Sequence, residues 1–242
     1  MSQIQSISAS TAEWAKQRQI ALVFNSETGS TNDDAKKKAF QESTDLVLYL
    51  ASHQNAGRGR GQNTWLDTGN GESLLSTWSF KVQSSPQPIA APRIGLSVFD
   101  AAASNWPSLK WSIKAPNDIF LDGRKTGGLL VESVSSGGQF RILIGLGFNV
   151  LNHPRRFNDA DHLGKTLAGG PGEGEWFQFL DDLASGFKQA VHEALQSTLS
   201  DAACLSLVRA LNANPHKPFT VTKMSPQGDI HHAGGKQSWM DL

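Results

Sequence analysis

Three apolar runs between residues 119 and 144 are separated by nothing longer than tight turns, and this spacing constrains the fold more than any other feature of the chain. Ile119–Leu121 and Gly127–Ser133 flank Asp122-Gly123, while Leu129–Val134 and Phe140–Ile144 flank Gly137-Gly138. Asp-Gly and Gly-Gly tolerate the positive φ angles of tight hairpin loops, so the runs are predicted to pair as successive antiparallel strands. Asp45–Ser52 and Ser73–Phe80 read as two further β runs, and Leu109–Ile113 as a short one. Helices are predicted from Thr31 onward, near Arg93–Ser104 after the breaks at Pro86, Pro88 and Pro92, over Glu175–Leu195, and over Ala202–Leu211. Residues 1–20 carry no strong pattern, Asn25–Thr31 is turn-like, and Asn212–Pro218 reads as a linker. Phe219–Met224 alternates like a strand and Ser225–Asp229 like a turn. Many short strands with few helices between them predict an α+β fold, a mainly antiparallel sheet flanked by helices.

The chain has 242 residues, enough for a full core. Lys plus Arg and Asp plus Glu are both 22, and the zero net charge argues against a surface built to grip nucleic acid throughout. The longest apolar stretches are far short of a bilayer span, and Met1–Trp14 lacks a basic start followed by an apolar run. Cys204 is the only cysteine, so neither an intramolecular disulfide nor a cysteine-based zinc site can form; the expected compartment is the cytosol.

Four stretches can carry chemistry. In Gly57-Arg58-Gly59-Arg60-Gly61, alternate glycines allow close backbone approach and two guanidinium forks suit carboxylate or phosphate oxygens; a solvated loop or an RNA-binding Gly-Arg run would read the same. It is neither a P-loop nor a dinucleotide fingerprint, since no Gly-Lys-Ser/Thr follows and Gln62 stands at the third glycine position. In Lys114-Ala115-Pro116-Asn117-Asp118, Pro116 forces Ala115 into an extended shape, and Asn117 and Asp118 can bind a metal or hydroxyl; a plain turn is the simpler alternative. Lys125 before Thr126-Gly127-Gly128 could face an anion or merely solvent. Gly145 and Gly147 within an apolar strand suggest a close backbone approach or a β-bulge.

The order of these stretches resembles the biotin–protein ligase family. The pieces that carry the resemblance are Gly29-Ser30-Thr31-Asn32, then Gln54-Asn55-Ala56-Gly57-Arg58-Gly59-Arg60 with Trp65 beyond, then Lys114–Asp118. Lys125-Thr126-Gly127-Gly128-Leu129-Leu130-Val131-Glu132 and Ile144-Gly145-Leu146-Gly147-Phe148-Asn149-Val150 complete them. Together they span about half the chain. The resemblance implies a class II synthetase-like catalytic domain over residues 1–213 and a short, reduced SH3-like β segment over 218–242. It implies an ATP-dependent biotin–[acetyl-CoA-carboxylase] ligase that forms biotinyl-5′-adenylate and passes biotin to a lysine of a biotin carboxyl carrier protein. The alternatives are a lipoate or octanoate ligase on the same fold, or a catalytically weak biotin- or nucleotide-binding relative.

By motif position, Ser30, Thr31, Asn32 and Gln54 would contact biotin. Arg58 and Arg60, interleaved with Gly57 and Gly59, would hold carboxylate and phosphate. Trp65 would lie near adenine, Asn117 would serve the nucleotide, and Asp118 its Mg²⁺. Lys125 would meet the biotinyl carboxylate or the adenylate phosphate. Gly128, Gly145 and Gly147 would let backbone approach biotin. The Asn55–Thr64 loop is expected to be mobile before ligand binds, its two arginines unpaired. Ala115 stands where the family usually has Trp and should leave space unless a neighbour fills it. About 20 residues precede the catalytic pieces, too few for the family's DNA-binding module, so no DNA or membrane partner is expected. A homodimer is left open.

Overall fold

The computed structural model describes residues 4–155 and 159–241. Residues 1–3, 156–158 and 242, which fall in the expected 1–213 and 218–242 units, lie outside the described residues. The chain runs through α1 (Ile7–Gln17), β1 (Ala21–Thr28), α2 (Thr31–Lys38), β2 (Leu46–Gln54), β3 (Ser73–Val82) and α3 (Ala90–Asn105). It continues with β4 (Trp111–Lys114), β5 (Asp118–Leu121), β6 (Arg124–Ser136), β7 (Gln139–Asn149), α4 (Leu163–Thr166), α5 (Glu173–Glu193) and α6 (Asp201–Asn212). The short strands β8 (Lys223–Met224), β9 (Asp229–His232) and β10 (Gly235–Ser238) precede a 3-10 turn at Trp239–Asp241.

Seven strands form one sheet in the order β1-β2-β3-β7-β6-β5-β4. Every pairing is antiparallel except β1 with β2. Both expected hairpins are present: Asp122 and Gly123 have φ of 49° and 76°, and Gly137 and Gly138 have 57° and 78°.

Register assigns the two faces. Leu48, Trp78 and Ile144 lie abreast, as do Leu146 and Leu129. Alternation puts these large residues on one side, where they enter the main core with Trp14 of α1, Ile94 of α3, Phe179 and Phe187 of α5, and Leu207 of α6. Burying such side chains contributes roughly 1.5–3 kcal/mol each. The opposite face carries Thr77, Gly145, Gly147, Gly128 and Glu132, and is covered in part by Ala35 of α2 packed on Val47, Tyr49 and Leu143. Thus β7 alternates Ile144, Leu146 and Phe148 on the core side with glycines on the other.

The structure corrects several local expectations. The stretch read as patternless contains α1, whose inner face mixes Ile7, Trp14 and Ala15 with the buried hydroxyls of Ser8 and Thr11. Thr11 accepts from the Trp176 indole at 3.1 Å and Ser8 bonds Ser52 at 2.8 Å, so polarity masks an amphipathic helix. Asn25–Thr28, expected as a turn, is the end of β1, an edge strand on which Ser26 and Glu27 are exposed while Asn25 and Thr28 donate to Asp34 of α2. Pro92 does not precede α3 but lies in its first turn, where no intrahelical N–H partner is lost. The strand expected over Leu109–Ile113 starts at Trp111, and that over Phe219–Met224 reduces to two residues.

The C-terminal strands form a three-stranded antiparallel sheet, β10-β9-β8. Val221, Met224, Ile230 and Trp239 join the same core as the helices.

Candidate active site

On the helix-poor face, α2 and four loops or strand ends enclose a cavity of about 630 Å³. Every residue expected at the site lines it except Gly57. Gly57 sits just behind, where a Cβ would strike the Trp65 carbonyl.

The floor is a buried hydrogen-bond network at the start of α2. Gln54 Oε1 accepts from the Thr31 amide at 2.7 Å and lies 3.1 Å from its hydroxyl, satisfying one orphan donor of the helix N-terminus. Thr77 Oγ1 donates to Asn32 Oδ1 at 2.6 Å, and Asn32 Nδ2 donates to Glu132 Oε2 at 2.9 Å. A Cβ on Gly145 would meet Asn32 Oδ1 well inside 3.0 Å, and one on Gly147 would meet the Trp65 ring equally closely. The close approach expected at these glycines is therefore made by the chain's own Asn32 and Trp65, which shape the floor and one wall.

The Arg58 loop is a small hairpin. Trp65 N donates to Gly57 O at 2.9 Å and Gly59 N to Asn63 O at 2.8 Å, with Gly61 at φ +64° in the turn. The arginines are not unpaired as expected. Arg58 Nη1 meets Asp33 Oδ1 at 2.7 Å and Arg58 Nη2 meets Glu132 Oε1 at 3.1 Å. Arg60 Nη2 donates to the Met240 carbonyl at 2.5 Å. Burial pushes the Glu132 carboxyl up, but hydrogen bonds from Lys36, Asn32 and Arg58 outweigh it and hold the group below its usual range.

The far wall is a strand irregularity. Between β5 and β6 the register slips: Ile119 faces Gly127 while Phe120 faces Lys125, so Thr126 is an extra residue in β6. Strict alternation from Gly128 would send Lys125 to the core face. The bulge resets the phase, and Lys125 Nζ reaches Asp118 Oδ1 at 2.7 Å. The geometry is that of an ion pair and not of an aligned hydrogen bond, since among the described residues Asp118 Oδ1 is buried without a hydrogen-bond partner. Asn117 Nδ2 donates to Leu129 O at 3.0 Å, and Trp239 Nε1 donates to Pro116 O at 2.8 Å. The neighbour that reaches the Ala115 turn is thus Trp239, from the C-terminal segment. The Ala115–Pro116 bond is cis.

Glu132, Asp33 and Asn149 were not singled out from sequence as site residues, although Glu132 and Asn149 end two of the motifs. Their signal lay in the alternation that puts Glu132 on the glycine side of β6. Among the described residues, Asn149 Oδ1 and Trp65 Nε1 are buried polar atoms on the cavity wall with no hydrogen-bond partner, and Asp118 Oδ1 is buried with only the Lys125 ion pair. Such atoms cost free energy unless something fills their valence. With three cations, Arg58, Arg60 and Lys125, on the same wall, the arrangement suits a polar, anionic ligand with an apolar end.

Residues 24–149 match the model of the biotin/lipoate A/B protein ligase family. A biotin–[acetyl-CoA-carboxylase] ligase of Mycobacterium tuberculosis is 34% identical over 145 residues, 57% of this chain and 51% of that protein. A bifunctional ligase/repressor of Bacillus subtilis is 33% identical over 144 residues, 57% of this chain and 43% of that protein. The matched stretch therefore spans about half the length of these relatives. The structure of a biotin protein ligase from Aquifex aeolicus in complex with biotin and ATP superposes with a TM-score of 0.65 at 18% identity, covering 90% of this chain and 94% of that one. Among the described residues, no helix is long and apolar enough to cross a membrane.

Proposed function

The chain belongs to the biotin/lipoate A/B protein ligase family, and from that premise we propose that it activates biotin with ATP as biotinyl-5′-adenylate and transfers biotin to a lysine of a carboxyl carrier protein. The observation that carries the reading is the convergence of five separate sequence segments on one cavity with three cations on its wall. The printed names of relatives above 30% identity specify biotin in preference to lipoate. A cytosolic setting is part of the same proposal.

The chemistry follows from the charges. A carboxylate and a triphosphate repel, and attack of one on the other requires their oxygens to meet. Fixed guanidinium and ammonium groups on one wall offset that repulsion without reorganising. Lys125 would bind the biotin carboxylate or the α-phosphate, and Arg58 and Arg60 the phosphates. Asn32, Thr31 and Gln54 would hold the polar end of biotin, while Trp65 forms the apolar wall. The residues also fit Mg²⁺: Asp118 offers a buried oxygen with unused hydrogen-bonding capacity, and Asp159 is a second carboxylate on the lining. Bound there, the ion would neutralise phosphate charge. In the second half-reaction the carrier lysine attacks the mixed anhydride, and the hairpin at Arg58–Thr64 would keep water out until then.

The test is ATP–pyrophosphate exchange with biotin, lipoate or octanoate supplied singly. Exchange with biotin alone is expected. Exchange confined to lipoate or octanoate, or absent with all three, would overturn the reading.

A further inference from the structure

Outside the cavity's reacting wall, His153, Asp161 and His162 bring three ligand-type atoms within 4.8 Å of one another. His153 Nδ1 and His162 Nδ1 are 2.8 Å apart, and Asp161 Oδ1 lies 3.6 Å from the second and 4.0 Å from the first. One proton can bridge the two imidazoles, but neither ring can hydrogen-bond the carboxylate at those distances. Asp161 Oδ1 accepts instead from the His162 backbone amide at 3.0 Å, so no side-chain hydrogen bond ties it to either ring. A tetrahedral ion with arms of about 2.0–2.1 Å places its ligand atoms about 3.3 Å apart, and the three observed separations bracket that value. The side chains are 21%, 13% and 18% exposed, enough to shield an ion while leaving it an entry path.

The surroundings divide the charges. Lys165 Nζ takes the other Asp161 oxygen at 2.7 Å, with Arg124 Nε 4.0 Å from that same oxygen, while Oδ1, which accepts the His162 amide, keeps lone-pair capacity for an ion. The Glu72 carboxylate also acts on His162 and, among the described residues, has one buried oxygen with no hydrogen-bond partner. Burial, the first cause, and the neighbouring His153 hold the His162 imidazole below its usual range, in the neutral form a metal requires.

We propose that His153, Asp161 and His162 form a binding site for a divalent transition-metal ion of the zinc class, distinct from the magnesium position at Asp118. Two imidazoles and one carboxylate are ligands zinc accepts, with the fourth position open to water. As the ion enters, the ring that carried the shared proton on Nδ1 gives it up to solvent and takes one up at Nε2, so both imidazoles bind neutral through Nδ1 with no net proton released. The site is stapled to the reacting wall through backbone: Lys125 N donates to Asp159 O and Asp161 N to Lys125 O, both at 2.9 Å, and Asn149 Nδ2 donates to Asp161 O at 3.2 Å. An ion here therefore braces the strand that carries Lys125.

The experiment is equilibrium dialysis of the chelator-treated chain against zinc, with metal counted by elemental analysis. One zinc per chain is expected, with an affinity loss of at least about 100-fold in His162→Ala and in His153→Ala. Asp118→Asn should bind zinc like the wild type. Cobalt should give the strong visible bands of a four-coordinate site, absent in both alanine variants. His153→Phe keeps the ring's bulk without the nitrogen and serves if an alanine variant does not fold. A wild-type chain that takes up no zinc, or folded histidine variants that hold it as tightly as the wild type, would overturn the proposal.

Discussion

Lys125 Nζ and Asp118 Oδ1 lie 2.7 Å apart, face to face across the bulge that breaks the β5–β6 ladder. The wall's best-placed cation is thus already matched by a carboxylate, and an anion arriving at Lys125 must share it with Asp118. A divalent cation held by Asp118 at the same spot would free Lys125 to meet that anion.

Removing either cation should slow adenylation while leaving the fold intact. Lys125→Ala and Arg58→Ala each lose a charge-assisted bond to an anion, about 1.5–3 kcal/mol, or roughly 10- to 150-fold in rate. Pyrophosphate exchange with biotin measures it, and wild-type exchange in both variants would contradict the assignment of the wall.

Asp118→Asn keeps the shape and removes the charge. The expected result is a lower rate and a higher magnesium concentration for half-maximal exchange. A variant that titrated magnesium like the wild type would remove Asp118 from that role.

Trp239→Phe tests the tie between the C-terminal segment and the Ala115 turn. The indole is 2% exposed, and without its N–H the Pro116 carbonyl loses its partner, at a cost of about 1–3 kcal/mol. Denaturant unfolding should show that loss, and the KM for ATP should rise as the Asn117–Asp118 turn loosens. An unchanged KM would confine Trp239 to stability.

Glu132 gives a pH signature. Its carboxyl is held below its ordinary value of 4.5, so its contribution to stability is fully present above that pH. As pH falls through the lowered folded-state value the contribution is lost. Glu132→Gln should be less stable than the wild type at pH 7, and the difference should shrink below pH 4.5. A gap that stayed constant from pH 7 to pH 3 would rule out this linkage.

Proteolysis separates the base of the Arg58 hairpin from its tip. Arg58 is held by Asp33 and Glu132, whereas Arg60 is exposed and, among the described residues, its side chain hydrogen-bonds only the Met240 carbonyl. Trypsin should cut after Arg60 before Arg58, and biotin with ATP should slow both cuts. Equal cleavage with and without ligands would remove the lid role.

The hairpins of β5, β6 and β7 were legible because Asp-Gly and Gly-Gly turns are local signals, as were the long apolar faces of α3 and α5. The α1 helix was hidden because Ser8 and Thr11 are buried through hydroxyl partners 44 and 165 residues away, which no local pattern reports. At the site, the residue types at each motif position were readable, but their pairing was not. Arg58 reaches Glu132 across 74 residues of sequence, and Lys125 reaches Asp118 only because one added residue shifts the strand's phase.

The alternation along β7 also sets how this molecule can change over generations. On the core side Ile144, Leu146 and Phe148 admit other apolar side chains at a modest cost, since cores tolerate swaps of similar volume. At Gly145 and Gly147 there is no smaller step to take. Every single-base change of a glycine codon that alters the residue adds at least a Cβ or stops the chain, and at both positions that atom would land on Asn32 or Trp65. Within five consecutive residues, then, one side of a strand is free to drift and the other is frozen. Drift past either glycine requires a paired change in α2 or in the Arg58 loop.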